Sequence, residues 1–269
     1  MNRQTYLRLV ALMLALTVVG SVVLLQFDWF GDAASVERGP IDTLFDVMIV
    51  LSTFVFSIVM VMLGYAVWKF RAKPGDESDG DAVHGNTTLE ITWTVIPTII
   101  VLAGAIYSWI VLDDIEAKAD DRMPLSVTAQ QYKWSFEYPE EMTGSGQSQA
   151  PLRTDELHVP VGRQLEVTLE ALDVIHSFWV PEWGIKRDAV PAGPGGDEID
   201  NQFVVTPDEE GTYSLVCTEL CGIGHSTMRA TVVVESEEEF DDWVADQTAA
   251  MEETAGGTSG GPSSGSSGP

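Results

Sequence analysis

The stretch Cys217-Thr218-Glu219-Leu220-Cys221-Gly222-Ile223-Gly224-His225-Ser226-Thr227-Met228 decides how this chain is read. It holds both cysteines of the protein, one of its four histidines and a methionine. Thiolate, imidazole and thioether together are a donor set for copper, because soft sulfur selects copper and imidazole suits it as well. A single blue-copper ion uses one Cys, usually with two His and a weak axial Met. Two thiolates in one loop therefore point to more than one metal ion. Gly222 and Gly224 give the backbone the freedom that a compact turn needs to converge all four side chains. The loop lacks a second histidine, which another part of the chain must supply.

The flanks of this stretch set the fold of the surrounding domain. From about Leu125 to Glu235 short runs of strand-forming residues alternate with Gly, Pro and Asp clusters, at the spacing of a sandwich or barrel. The runs are 126–129, 134–138, 156–160, 164–169, 203–205, 212–216 and 229–234. The loop from Val216 to Arg229 then joins two strands at one end, where a rigid scaffold can present ligands. His176, in Asp173-Val174-Ile175-His176-Ser177-Phe178-Trp179-Val180-Pro181, is the candidate second histidine, supplied by another loop. Ile175, Phe178, Trp179, Leu220 and Ile223 are expected to form an apolar shell that excludes solvent from the site. His158, on a strand, and His84, in a polar loop, are read as non-ligands. A disulfide between Cys217 and Cys221 would leave the nearby His and Met without a purpose. A last helix is expected from Glu237 to about Ala249, with Ser236 and Glu239 forming a capping box. Residues 251–269, Gly/Ser-rich at their end, read as a disordered tail.

Upstream of the β domain the composition is that of a membrane protein. Val47–Phe70 carries no charge before Lys69, and Ile91–Leu112 carries none. Each exceeds the roughly 20 residues that a helix needs to cross a bilayer. Lys69, Arg71 and Lys73 place the 71–90 loop in the cytoplasm, so both ends of the hairpin lie outside. Pro97 sits in the first turns of the second helix, where it can kink it. Residues 1–35 open with Arg3 and Arg8, continue with an apolar run from Leu9 to Leu25, and end on Gly31-Asp32-Ala33-Ala34. This is the pattern of a cleaved signal peptide, with an uncleaved anchor helix as the alternative. The chain thus divides into 1–35, a transmembrane hairpin at 41–115, a β domain at 120–250 and the tail.

The formal net charge of −27 makes nucleic acid an unsuitable partner. The acids are concentrated in the β domain: residues 120–269 hold 28 Asp and Glu against 7 Lys and Arg, and residues 1–119 hold 13 against 7. They are spread over the whole domain and Lys is scarce. Adaptation to high salt, as in a halophile, accounts for that distribution better than one docking face for a basic partner.

Asp173–Pro181 and Cys217–Met228 resemble the copper-binding segments of cytochrome c oxidase subunit II. The resemblance covers roughly residues 40–245. It implies a membrane helix hairpin followed by an all-β, cupredoxin-like Greek-key domain outside the cytoplasm. It further implies a binuclear copper centre, CuA, bridged by Cys217 and Cys221. His176 and His225 would each terminate one copper, with Met228 and the Glu219 carbonyl as weak ligands. The Glu219 carboxylate would help to hold a magnesium ion at the interface with subunit I. In Gln131-Tyr132-Lys133-Trp134-Ser135-Phe136-Glu137-Tyr138 the family's aromatic electron-entry segment is matched at Tyr132 and Trp134. Tyr132 stands where many members carry Trp, and Lys133 also replaces an aromatic, which leaves the donor open between a cytochrome c and a blue-copper protein. Glu90 resembles the family's acidic residue at a proton entrance, and a helix-start acid favoured by the dipole is the alternative. The implied function is electron entry into a haem–copper terminal oxidase. Haem, CuB, oxygen reduction and proton pumping would belong to subunit I, with subunit III as a further partner. A CuA subunit of a nitric oxide reductase and a membrane-tethered copper carrier are the alternatives. A quinol oxidase subunit is disfavoured, since every ligand position is filled.

Overall fold

The computed structural model describes residues 2–72, 74, 75, 82, 84–142, 151–192 and 201–257. The chain forms two compact units. The first, Met1–Trp29 with Pro40–Asp114, is helical. Helix α1 spans Arg3–Leu24, α2 spans Arg38–Phe70 and α3 spans Thr87–Ile115. All three are long and apolar enough to cross a membrane. Helices α1 and α2 approach closely at Gly20, where an added Cβ would stand 2.9 Å from Thr53 Cγ2. Pro97 lies inside α3. Helix α3 starts on a reciprocal cap: the Asn86 side chain accepts from Leu89 N–H at 3.1 Å, and Glu90 Oε1 accepts from Asn86 N–H at 3.1 Å. The helix-start alternative for Glu90 therefore has a definite local basis. The 251–269 reading falls largely on residues 258–269, outside the described residues, as does much of the 71–86 connection.

The second unit, Phe30–Gly39 with Ile115–Pro269, is a sandwich of two five-stranded sheets. The strands are β1 Met123–Gln130, β2 Lys133–Tyr138, β3 Leu152–Thr154, β4 Leu157–Pro160, β5 Leu165–Ala171, β6 His176–Val180, β7 Ile185–Ala189, β8 Gln202–Val205, β9 Gly211–Cys217 and β10 Arg229–Glu235. One sheet runs β3-β2-β1-β5-β8 and the other β4-β10-β9-β6-β7. Alternation decides which side chains point inward. Met123, Leu125, Val127 and Ala129 of β1 are buried, as are Leu165, Val167 and Leu169 of β5 and Trp134, Phe136 and Tyr138 of β2. They meet Leu215, Val232 and Val234 of the facing sheet in one apolar core. Each fully buried aliphatic of this kind contributes about 1.5–3 kcal/mol.

Strands β3, β6 and β7 do not show in the sequence pattern. β6 is buried at four of five positions and β7 at one, so neither alternates. His176 is consequently the first residue of a strand rather than part of a loop. Residues 30–39 belong to this unit, although 30–35 read as the end of a signal segment. They are held by backbone and side chain together: Ala34 N–H donates to Glu182 O at 2.9 Å and Val36 N–H to Thr206 O at 3.0 Å, while the Glu37 carboxylate accepts from Thr206 N–H and Oγ–H at 2.9 Å each. The main-chain part of this attachment leaves no side-chain pattern to read. Helix α4, Glu237–Gly257, runs past the expected end at Ala249. It opens on the expected capping box, Ser236 Oγ to Glu239 Oε2 at 2.7 Å with Glu239 N–H to Ser236 Oγ at 3.3 Å. Phe240 and Val244 seat it on the core, and the Trp243 indole stacks on the His158 ring at 4.1 Å. His158 Nδ1 also lies 3.0 Å from Glu235 Oε1, so this histidine is part of the packing of the α4 helix.

Candidate metal centre

Two strand ends and one turn build the site. β9 delivers Cys217 at its last residue, and β10 begins one residue after Met228. The base of the connecting loop is closed by Cys217 N–H donating to Met228 O at 3.1 Å. β6 pairs with β9 at Phe178 and Cys217, and Thr218 N–H donates to Ser177 O at 3.1 Å. This pairing brings His176 to the loop. Inside the loop, Gly222 adopts φ 135°, a region that side chains disfavour, and His225–Thr227 make one turn of 3-10 helix.

The six groups named from the sequence meet. His176 Nδ1 lies 3.9 Å from Cys217 Sγ, and Cys217 Sγ lies 3.9 Å from Cys221 Sγ. Cys221 Sγ lies 3.7 Å from His225 Nδ1 and 3.9 Å from Met228 Sδ. The Glu219 carbonyl oxygen is 3.4 Å from Cys217 Sγ. Both cysteines are free. Donor atoms at such separations can share ions placed about 2.0–2.3 Å from each, the usual metal–nitrogen and metal–sulfur lengths. Among the described residues, His176, Cys217 and Cys221 form the one His, Cys, Asp or Glu group with the spacing to hold a metal ion. Electrostatics points the same way. Burial pushes the Cys221 thiol up to about 11, and the adjoining Cys217 adds to the shift. Ionising two thiols this close and this buried would take a cation beside them.

The surroundings fix the donors. His176, Cys217, Cys221 and Met228 are all nearly or fully buried, whereas His225 and Glu219 are half-buried. His176 Nε2 contacts Asp173 Oδ1 at 2.8 Å, which holds the ring with Nδ1 turned to the cysteines. Asp173 also accepts from Gln131 N–H at 2.8 Å and Val174 N–H at 2.7 Å. Burial raises the Asp173 carboxyl, but the hydrogen bonds from Gln131, His176 and Val174 outweigh it and hold the group below its ordinary value. Trp134 is buried against His176, with ring centroids 6.3 Å apart. Tyr132 is 39% exposed and lies across the loop: a Cβ on Gly224 would meet its ring at 2.5 Å, and one on Gly222 its hydroxyl at 2.5 Å.

The expected apolar shell needs correction. Phe178 is fully buried, but Ile175, Leu220 and Ile223 are 45%, 78% and 102% exposed. Trp179 is partly exposed, so of the expected shell Phe178 alone is fully buried, and Met228 and Trp134 complete the dry wall with it. Asp173 and Gln131 were not singled out as site residues from the sequence. The Asp173–His176 spacing of three residues is a signal for the first, and no sequence feature marks the second.

Two family descriptions match the chain. Residues 22–111 match the transmembrane domain of cytochrome c oxidase subunit II, and residues 123–236 match its periplasmic domain. Cytochrome c oxidase subunit 2 of Synechocystis sp. is 30% identical over 85% of this chain and 80% of its own length. Subunit 2 of Thermostichus vulcanus is 31% identical over 83% and 82%. Among solved structures, the periplasmic domain of subunit II of cytochrome oxidase from Bradyrhizobium japonicum is 28% identical. It covers 50% of this chain and 98% of its own, with a TM-score of 0.41.

Proposed function

The chain belongs to the cytochrome c oxidase subunit II family, and on that premise we propose that it is the electron-entry subunit of a respiratory haem–copper terminal oxidase. It takes electrons from an extracytoplasmic carrier and hands them to haem in subunit I, where oxygen is reduced with proton pumping. One observation carries this reading: two free, buried thiols 3.9 Å apart, each beside a histidine Nδ1.

Two copper ions held there would supply a one-electron redox centre shared over both sulfurs, for which a small geometry change on reduction keeps reorganisation low. The residues have separate tasks. Cys217 and Cys221 would hold the copper in common, His176 and His225 would each supply an imidazole to it, and Met228 and the Glu219 carbonyl would be the weak donors. Asp173 orients His176 and keeps its ring from turning. Met228, Phe178 and Trp134 exclude water. Tyr132, half-exposed and laid on the Gly222–Gly224 backbone, is the entry point for electrons, with Trp134 behind it. The Glu219 carboxylate is the candidate magnesium ligand at the subunit I interface, and Glu90 the candidate proton collector at the start of α3.

The chain is a membrane protein with an extracytoplasmic β domain. Signal cleavage would leave α2 and α3 as its two spans, which intact-mass measurement of the purified chain tests. The copper assignment is tested by loading the full-length chain in detergent and measuring metal content and the visible spectrum. Two coppers per chain with intense sulfur-to-copper absorption are expected, and Cys217→Ser should abolish that spectrum. Survival of the parental spectrum in Cys217→Ser would rule out the bridging role.

A further inference from the structure

Gln131 occupies the turn between β1 and β2 and is exposed, yet it is bonded to both ligand-bearing loops. Its side-chain Nε2–H donates to the Cys221 carbonyl at 2.5 Å. Its backbone N–H donates to Asp173 Oδ2 at 2.8 Å, and the other oxygen of that carboxylate contacts His176 Nε2 at 2.8 Å. A continuous path therefore runs from the Cys221 backbone, through Gln131 and then the Asp173 carboxylate, to the ring of His176. His176 heads β6 and is held there by pairing with Ala189 of β7, whereas Cys221 belongs to the β9–β10 connection, whose ladder contact with β6 ends at Cys217. Cys221 lies four residues out along the loop, beyond the β-ladder. The Gln131 amide is what ties that part of the loop back to the scaffold, and Tyr132 closes over Gly222 and Gly224 beside it.

We infer that Gln131 is a positioning residue of the metal centre: its amide and backbone hold the Cys221 and His176 loops in register, independently of any electron donor. This rests on the copper reading of the site. Partners that orient a ligand without touching the metal typically carry about 10–100-fold in metal affinity. Gln131→Met keeps the length and loses the donor, and Gln131→Lys keeps a donor at similar reach.

The test loads the full-length chain and both variants with copper in detergent. It follows the rate of copper loss to a chelator, the visible and paramagnetic resonance spectra, and the KM for a soluble cytochrome c with the assembled oxidase. Gln131→Met should release copper about 10-fold faster with a changed hyperfine pattern. Gln131→Lys should stay within about threefold of the parent and keep its spectrum. Parental release and spectrum in Gln131→Met would overturn the inference, and so would equal damage in both variants. A change confined to KM would also overturn it, by making Gln131 a docking residue. If Gln131→Met does not accumulate, Gln131→Lys decides alone: a parental spectrum supports the role and a lost one overturns it. If the parent takes up no copper, the copper reading itself has failed, an outcome distinct from parental behaviour in the variants.

Discussion

The loop from Cys217 to Met228 has an inward half and an outward half, and the two obey different rules. Cys217, Cys221 and Met228 point in and are 3%, 4% and 0% exposed. Leu220 and Ile223 alternate with them in sequence and point out, almost bare. Large aliphatic side chains on a loop tip gain nothing in an isolated chain. Their position next to a buried donor cluster suits a surface that another subunit covers. One short segment thus combines a dry interior of donor atoms with an apolar exterior.

Mutations on the two halves should part company. The largest effect after loss of a bridging cysteine is expected at Met228. Met228→Ala opens a cavity in the wall and should lower the unfolding free energy of the metal-free chain by about 2–5 kcal/mol, read by denaturant titration in detergent. An unchanged midpoint would mean that the wall is not packed as described. Next comes Asp173→Asn, which keeps the shape but weakens the hold on the His176 ring. It should reduce copper affinity about 10-fold or more in competition with a chelator, with little change in secondary structure by circular dichroism. The smallest effect belongs to the outward half. Leu220→Ser with Ile223→Ser should alter chain stability by less than about 0.5 kcal/mol per site and leave the copper spectrum as it is. The same pair should weaken co-purification with subunit I. Loss of the copper spectrum in that double variant would erase the distinction between the two halves.

The difference also explains what the sequence could and could not show. Donor identity and spacing announce themselves, because few residue types bind copper and four such residues, two Cys, one His and one Met, fall in one loop. His176 followed from the need for a partner. The direction in which an apolar loop residue points is a tertiary property, and so composition places Leu220, Ile223 and Ile175 in a shell they do not form. The same limit hid β6 and β7: buried on both faces or charged along its length, a strand shows no period of two. Backbone-mediated order is the least legible of all. Residues 34–36 join the β domain through main-chain hydrogen bonds, and Gln131 through one amide and one N–H.

Paramagnetic resonance of the copper-loaded full-length chain tests the central claim most directly. One unpaired electron shared between two equivalent copper nuclei gives seven hyperfine lines, with two coppers bound per chain, and this is the predicted result. A four-line signal from a single copper per chain would contradict the binuclear assignment of Cys217 and Cys221.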